Sequence, residues 1–384
     1  MVLTIVVFLL VLGILIFVHE LGHFMTAKKL GIKVEEFGFG FPPRMFGIYK
    51  NKEGKWKKVI GGKKEGVENT IYSINWLPLG GFVKIFGEEG EGSKDPESFA
   101  SKPIWKRSLV LAAGVFMNFV LAAILLMVGF KIGLPQAIDS EDSNVRDAKI
   151  QIAQVATESP AAESGLSLGD EIISIEEERF YKIEDIQNKI KDNSGQEILI
   201  EVKRGGEIKE IKTTPRENPP EDEGALGISL VKTGLVSYPW YISIGKGLEA
   251  TISVTLAILI AFYELIKNLI VGEKVGADFA GPVGIAVMTG QVTRMGLAYV
   301  LQFVAVLSIN LAIINILPLP ALDGGRILFL IIEKVRGKKV GKKIENTVHT
   351  IGFFLLILLL VVVTFKDLFR FKDLFIGIWH KIVG

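Results

Sequence analysis

Two imidazoles four positions apart, with a carboxylate beside the first, close an apolar run that starts at Val2: His19-Glu20-Leu21-Gly22-His23. On a helix, residues four apart share a face, so His19 and His23 can grip one metal ion while Glu20 stands ready to take a proton from a water. They are two of only four histidines in the chain, and cysteine is absent. Zinc is the expected cofactor, one ion per chain, held through His, Asp or Glu and not through thiolate. A His pair that merely solvates a helix end is the competing reading. Ionisable side chains are costly at membrane depth, which favours the functional one.

A catalytic zinc takes three protein ligands and leaves one position open, so the pair needs a partner. Asp323 is the expected third ligand. It ends an apolar segment, follows the helix-breaking Pro318 and Pro320, and precedes Gly324 and Gly325, which permit close backbone approach. Asp278, Glu333 and His349 are weaker candidates, and a plain turn role for Asp323 is the alternative.

The elements that must carry these groups follow from composition. Of 384 residues, 49 % are hydrophobic and 22 % charged, and the mean hydropathy is +0.41. That mixture implies membrane spans plus a soluble domain. A net charge of +2 gives no argument for nucleic acid. The N-terminal segment lacks a basic n-region and a small-residue cleavage site, so it is expected to stay as a span. Spans are expected at 1–24, 108–131, 297–325 and 347–365. Lys28, Lys29 and Lys33, then Lys102, Lys106 and Arg107, then the basic stretch 326–346 mark the cytoplasmic side, which puts the metal site near that side and both termini outside.

Residues 25–107 carry strand patterns at 70–74 and 81–86 and two oddly apolar stretches, Phe37 to Pro43 and Trp76 to Phe82. A hairpin dipping into the membrane beside the metal is one reading and a small soluble sheet the other. In the second span, Ala112, Ala113, Gly114 and Asn118 form a small-residue face, where Asn118 serves either as helix-packing glue or as a group facing the active site. From 137 to 232 the pattern is that of a soluble α/β domain, with a helix near 183–191 and strands at 197–202 and 207–211 about Gly205-Gly206, a hairpin signal. The run from Ser159 to Ile173 resembles the loop and strand of PDZ domains. That resemblance implies a groove for an extended peptide near Leu226, Gly227 and Ile228.

The apolar stretch 248–271 raises a parity problem. With the domain outside and the His pair near the cytoplasm, a single crossing must return Asp323 to the metal. Residues 245–290 are therefore expected to lie along the outer interface, or to enter and return, with Glu249, Tyr263, Glu264 and Lys267 helping to hold them there. The tail 366–384 reads as an amphipathic interfacial segment.

With His19-Glu20-x-x-His23, Gly114-x-x-x-Asn118 and Asn315-x-x-Pro318-x-Pro320-x-Leu322-Asp323-Gly324 in this order, the chain resembles bacterial site-2 proteases of the RseP type from end to end. Phe41-Pro42-Pro43-Arg44 and Leu77 to Phe82 are similar to that family's membrane-dipping hairpin region. It departs in carrying one PDZ-like domain where some members have two, in Pro42 where a glycine is usual and in Val115 where a proline often follows the glycine. The resemblance implies a polytopic α-helical protein of four transmembrane helices, with a membrane-associated β-hairpin region and an inserted extracytoplasmic PDZ domain, in the bacterial inner membrane. It implies an intramembrane zinc endopeptidase, expected to be a monomer in the lipid bilayer, acting on single-span proteins such as anti-sigma factors or on remnant signal peptides. Glu20 would act as general base, Asn315 would help to hold substrate, and Asn118 with the strand Gly80, Gly81, Phe82 and Val83 would contact it. A non-catalytic PDZ-bearing scaffold and a metal transporter are the rivals; neither needs a general base beside the His pair.

Overall fold

The computed structural model describes residues 2–62, 69–88, 90, 92–138, 145–156, 159–220, 223–272 and 281–370. It divides into two compact units, one of residues 1–125, 248–290 and 303–384, the other of residues 126–247 and 291–302.

The first unit begins with α1, Val2–Lys29, a single helix of 28 residues, about 42 Å long. It passes the expected end at residue 24 because Ala27 is fully buried against Val110 and Leu111, and Lys28 and Lys29 suit a helix C-terminus. Three strands follow: β1, Val34–Lys50; β2, Trp56–Ile60; and β3, Ile71–Ile85, in the order β2-β1-β3. The two short strands read from the sequence are thus the two ends of one. Phe37 pairs with both Tyr72 and Val83, Gly38 with Ser73 and Phe82, and Phe39 with Ile74 and Gly81. The N-terminal half of β1 therefore has both edges filled by the two ends of β3. β1 bends at Pro42-Pro43, which cannot donate ladder hydrogen bonds. Beyond the bend Arg44 reaches back to the carboxylate of buried Glu36, with Nε to Oε1 at 2.7 Å and Nη2 on the other oxygen.

This sheet rests on α1 through aromatic contacts, Phe24 stacked on Phe37 at 4.5 Å and Phe17 against Phe37 at 5.3 Å between centroids. At its far end Phe39, Phe41, Ile74, Trp76 and Leu77 are exposed, Trp76 by 64 %. An uncovered apolar tip of this kind is costly in water.

α2, Ile104–Ile132, starts directly after Pro103, four residues before the expected boundary. The second unit carries a six-stranded sheet of β4, Leu134–Ala137; β5, Val145–Val155; β6, Glu171–Ile175; β7, Ile198–Arg204; β8, Glu207–Thr213; and β9, Ile228–Val236, in the order β4-β9-β5-β6-β7-β8. Two helices, α3, Pro160–Ser164, and α4, Ile183–Asp192, complete it. Ile186 and Ile190 of α4 pack with Ile152, Ile175, Ile198 and Ile200 in one core. Gly205 and Gly206, at φ 61° and 93°, make the tight β7-β8 turn that the sequence announced. Asp170 is fully buried and is held by Arg204 at 2.6 Å; the hydrogen bond to this carboxylate pushes the guanidinium pKa up.

Among the described residues the chain continues with α5, Trp240–Val271; α6, Pro282–Met295; α7, Leu297–Ile316; α8, Asp323–Arg336; and α9, Lys342–Arg370. Among the described residues five helices, α1, α2, α5, α7 and α9, are long and apolar enough to cross a membrane, where the sequence reading expects four spans. α5 is one helix of 32 residues with no break, so nothing within it corresponds to an entry and return, and no residue of its most apolar stretch is buried. The expected third span, 297–325, is two elements, because the chain leaves the helix at Ile316 and α8 starts at Asp323. α9 runs through Arg370 and takes in the start of the expected tail, whose remainder lies outside the described residues.

Candidate metal centre and catalytic residues

α1 supplies His19 and His23, both buried, with their Nε2 atoms 3.1 Å apart. Asp323 Oδ2 lies 3.0 Å from His19 Nε2 and 3.3 Å from His23 Nε2. Among the described residues these three form the group that could hold a metal ion. Tetrahedral zinc with bonds of about 2.0–2.1 Å sets neighbouring ligand atoms about 3.3 Å apart, close to this spacing.

The remaining imidazole nitrogens support the same assignment. His23 Nδ1 lies 2.9 Å from the carbonyl oxygen of Val110 on α2, to which it can donate, leaving Nε2 as the unprotonated, metal-facing nitrogen. His19 Nδ1 lies 3.3 Å from the side-chain amide of Asn118. Asn118 is fully buried and its Oδ1 has no hydrogen-bond partner. Turning the amide places Oδ1 toward His19 Nδ1–H, the tautomer in which Nε2 is free for a metal, and removes the orphaned acceptor. The donor set therefore fits zinc. It also puts Asn118 behind the ligand His19 and not on an open wall, with its own carbonyl accepting from Ser308 Oγ of α7 at 2.8 Å.

Glycines let the helices close on this centre. A Cβ on Gly114 would fall 2.4 Å from His23 Nε2 and 2.8 Å from His19 Cε1, and one on Gly22 would fall 2.3 Å from the Ala113 carbonyl oxygen. In the first turn of α8, a Cβ on Gly324 would meet the carbonyl oxygens of Ile316 and Leu317 at 2.2 Å. The first turn of α8 is thereby pressed against the end of α7, and Asp323 is carried to the imidazoles. Gly114→Ala is expected to lower zinc affinity into the 10–100-fold range typical of disturbed ligand support. Competition with a chromophoric chelator reads this directly; unchanged affinity would contradict the packing described.

Glu20 follows His19 on α1, within electrostatic reach of His19, His23 and Asp323 and beside the backbone of Val83. Gly80 and Gly81 of β3 lie against α1 one turn earlier: a Cβ on Gly80, at φ 92°, would strike Ile16 at 2.6 Å, and one on Gly81 would approach Phe17 Cα at 3.2 Å. Phe82 and Val83 pair with Gly38 and Phe37 on one side. No strand pairs with their other side among the described residues. Asn315, on the last turn of α7, is half-buried and makes no side-chain hydrogen bond with another described residue.

The weaker metal candidates are engaged elsewhere. Glu333 is paired with Arg107 at 2.6 Å, and His349 Nδ1 accepts the Ala321 N–H at 2.9 Å; Asp278 lies outside the described residues. In the sheet of the second unit, Leu226 is buried in the core and its carbonyl accepts the Ala161 N–H at 3.1 Å, while the Gly227 carbonyl accepts the Ala156 N–H at 2.8 Å. Gly227 has φ 71° and Ile228 opens β9, whose residues 233–236 are paired with β4 on the edge opposite β5. The Val110 carbonyl was invisible to sequence reasoning, because every residue has one. Ser308, a hydroxyl in an apolar helix, carried a signal that could have been used.

A family model, peptidase family M50, matches residues 7–359. A putative zinc metalloprotease of Clostridium acetobutylicum is 34 % identical over 364 residues, 95 % of this chain and 97 % of that protein. The regulator of sigma-W protease RasP of Bacillus subtilis is 31 % identical over 451 residues, covering 96 % of this chain and 98 % of that protein. Among solved structures, the PDZ domain of an SdrC-like protein from Listeria monocytogenes is matched over 24 % of this chain and 93 % of that one, at 20 % identity and a TM-score of 0.20.

Proposed function

The chain belongs to peptidase family M50 and is a zinc metalloprotease, and from that premise we propose that it is an intramembrane endopeptidase acting on single-span membrane proteins or peptides. The observation that carries this reading is the convergence of His19 and His23, on the apolar helix α1, with Asp323, which follows the end of the apolar helix α7, within 3.0–3.3 Å, with Glu20 next in sequence to His19. The name of the B. subtilis relative, a regulator of sigma-W protease, supports substrates of the anti-sigma type; remnant signal peptides share the required form.

Zinc bound by the three side chains, one ion per chain in this reading, supplies Lewis acidity to the attacking water and the scissile carbonyl. Glu20 takes the proton of that water on its carboxylate and returns it to the leaving amine nitrogen. Val110 and Asn118 hold the two imidazoles in the tautomer that presents Nε2. A helical substrate hides its carbonyls in its own hydrogen bonds, so it must open locally before attack. The edge at Gly81 and Phe82, which pairs with no described strand, offers the opened backbone a strand to join, and the side-chain amide of Asn315 offers it a further hydrogen bond. The exposed tip around Phe41 and Trp76 fits a sheet that reaches into the bilayer, where such side chains are at home.

We place the metal centre toward the cytoplasmic face, the PDZ-like domain with its groove at Leu226, Gly227 and Ile228 outside, and α5 along the outer interface, in a four-span arrangement of the bacterial inner membrane. The chain has no cysteine, so single-cysteine labelling is clean. Ile270→Cys in sealed vesicles is expected to react only from the extracytoplasmic side; reaction from the cytoplasmic side would make α5 a fifth crossing. A scaffold or a transporter would bind or move the metal without hydrolysis. Zinc content measured together with cleavage of a model span by the purified chain separates all three, and full zinc occupancy with no cleavage of any span would count against the protease reading.

A further inference from the structure

At the start of α2 lies an open cavity of about 720 Å³, lined by residues 100–105, Arg107 and Ser108, by Leu330, Ile331, Glu333 and Lys334 of α8 and by Lys339, a size that suits a small ligand or headgroup. It takes no part in the metal centre. Its wall contains one buried ion pair: Arg107 Nη2 donates to Glu333 Oε1 at 2.6 Å, and Arg107 Nε donates to the Lys102 carbonyl oxygen at 3.1 Å. Glu333, the one carboxylate in the lining, is thus already neutralised. Lys102, Lys334 and Lys339 also line the cavity and form no ion pair with a described carboxylate. Lys339 donates to the Ala100 carbonyl oxygen at 2.9 Å, which holds the chain after α8 against the cavity rim.

The charge is therefore three ammonium groups in excess, gathered around a concave site whose remaining wall is mostly apolar, with Ser101 and Ser108 as its other polar side chains. Trp105 is 60 % exposed and Ile331 52 % exposed on that wall. Position along α2 fixes the level of the site: Trp105 stands at the first turn of an apolar helix of 29 residues, with Lys106 Nζ 5.5 Å from its ring. Tryptophan and lysine at the end of an apolar helix mark the layer where headgroups meet hydrocarbon. A compact anion held by three lysines, joined to a chain that runs along Trp105 and Ile331 into the bilayer, satisfies both halves of the site; basic pockets at this level bind anionic headgroups.

We propose that this cavity is a binding site for the phosphate headgroup of an anionic phospholipid, such as phosphatidylglycerol. The same phosphate chemistry in a soluble phosphate ester would use the lysines and leave the apolar wall idle. In native mass spectrometry of the purified full chain taken from mixed phosphatidylcholine and phosphatidylglycerol nanodiscs, one phosphatidylglycerol is expected to remain per chain. Lys102→Gln/Lys334→Gln/Lys339→Gln should cut that retention by about tenfold or more, and Lys57→Gln/Lys58→Gln, on exposed β2, should not. Equal retention in the triple variant and the wild type overturns the proposal. Glycerol phosphate that displaces the lipid at equal concentration overturns the lipid assignment in favour of a soluble ester. Should the triple variant fail to fold, a photoactivatable phosphatidylglycerol on the wild type decides. Crosslinks concentrated at Trp105 and Ile331 support the site, and crosslinks spread evenly over the apolar helices refute it.

Discussion

Glu20→Gln protein, purified and returned to liposomes, is expected to hold zinc as the wild type does and to lose cleavage by roughly 10²–10⁴-fold, the usual worth of a positioned general base. The side chain keeps its size and remains beside Val83 and the ligands, but an amide cannot take a proton from water. The ligand atoms His19 Nε2, His23 Nε2 and Asp323 Oδ2 are untouched by the change. Zinc content and melting temperature should therefore match the wild type while product formation disappears. Retained cleavage would remove Glu20 from the chemistry, and loss of zinc would make it a ligand.

Asp323→Ala is expected to have the opposite signature. Two of three protein ligands remain, and they sit 3.1 Å apart on one helix, a pair that cannot complete a tetrahedral site. Zinc affinity should fall by more than the roughly 10–100-fold that outer-shell changes produce, and cleavage should fall with it. The turn before α8 is held by backbone hydrogen bonds, Leu322 N–H to the Leu319 carbonyl at 3.3 Å and Gly325 N–H to the Leu322 carbonyl at 3.1 Å, so the fold should survive. Near-normal zinc affinity in a folded Asp323→Ala protein would mean that another group closes the site.

Most of the centre was legible because its information is local. His19 and His23 declare themselves by helical spacing, and Asp323 by the prolines before it and the glycines after it, whose lack of Cβ the packing of α8 on α7 uses directly. The β7-β8 turn and α4 were readable for the same reason. What could not be read depends on distant parts of the chain. Asn118 meets His19 across 99 positions, and the choice between packing glue and an active-site face falls on a buried amide that touches a ligand. The doubling of β1 and β3 back on themselves depends on which edges meet, and alternation along a strand does not encode that. The ends of α1 and α9 ran past their apolar stretches because helix formation continues through Lys28 and Lys29 and through Lys366 to Arg370, where hydropathy has already fallen.

The most direct test of the account is the position of the cut. A single-span model substrate incubated with the purified chain in liposomes should yield products whose new termini, mapped by mass spectrometry, lie within the apolar segment, and zinc chelation should abolish them. Termini confined to the soluble flanks of the substrate would contradict an active centre built from His19, His23, Asp323 and Glu20 at membrane depth.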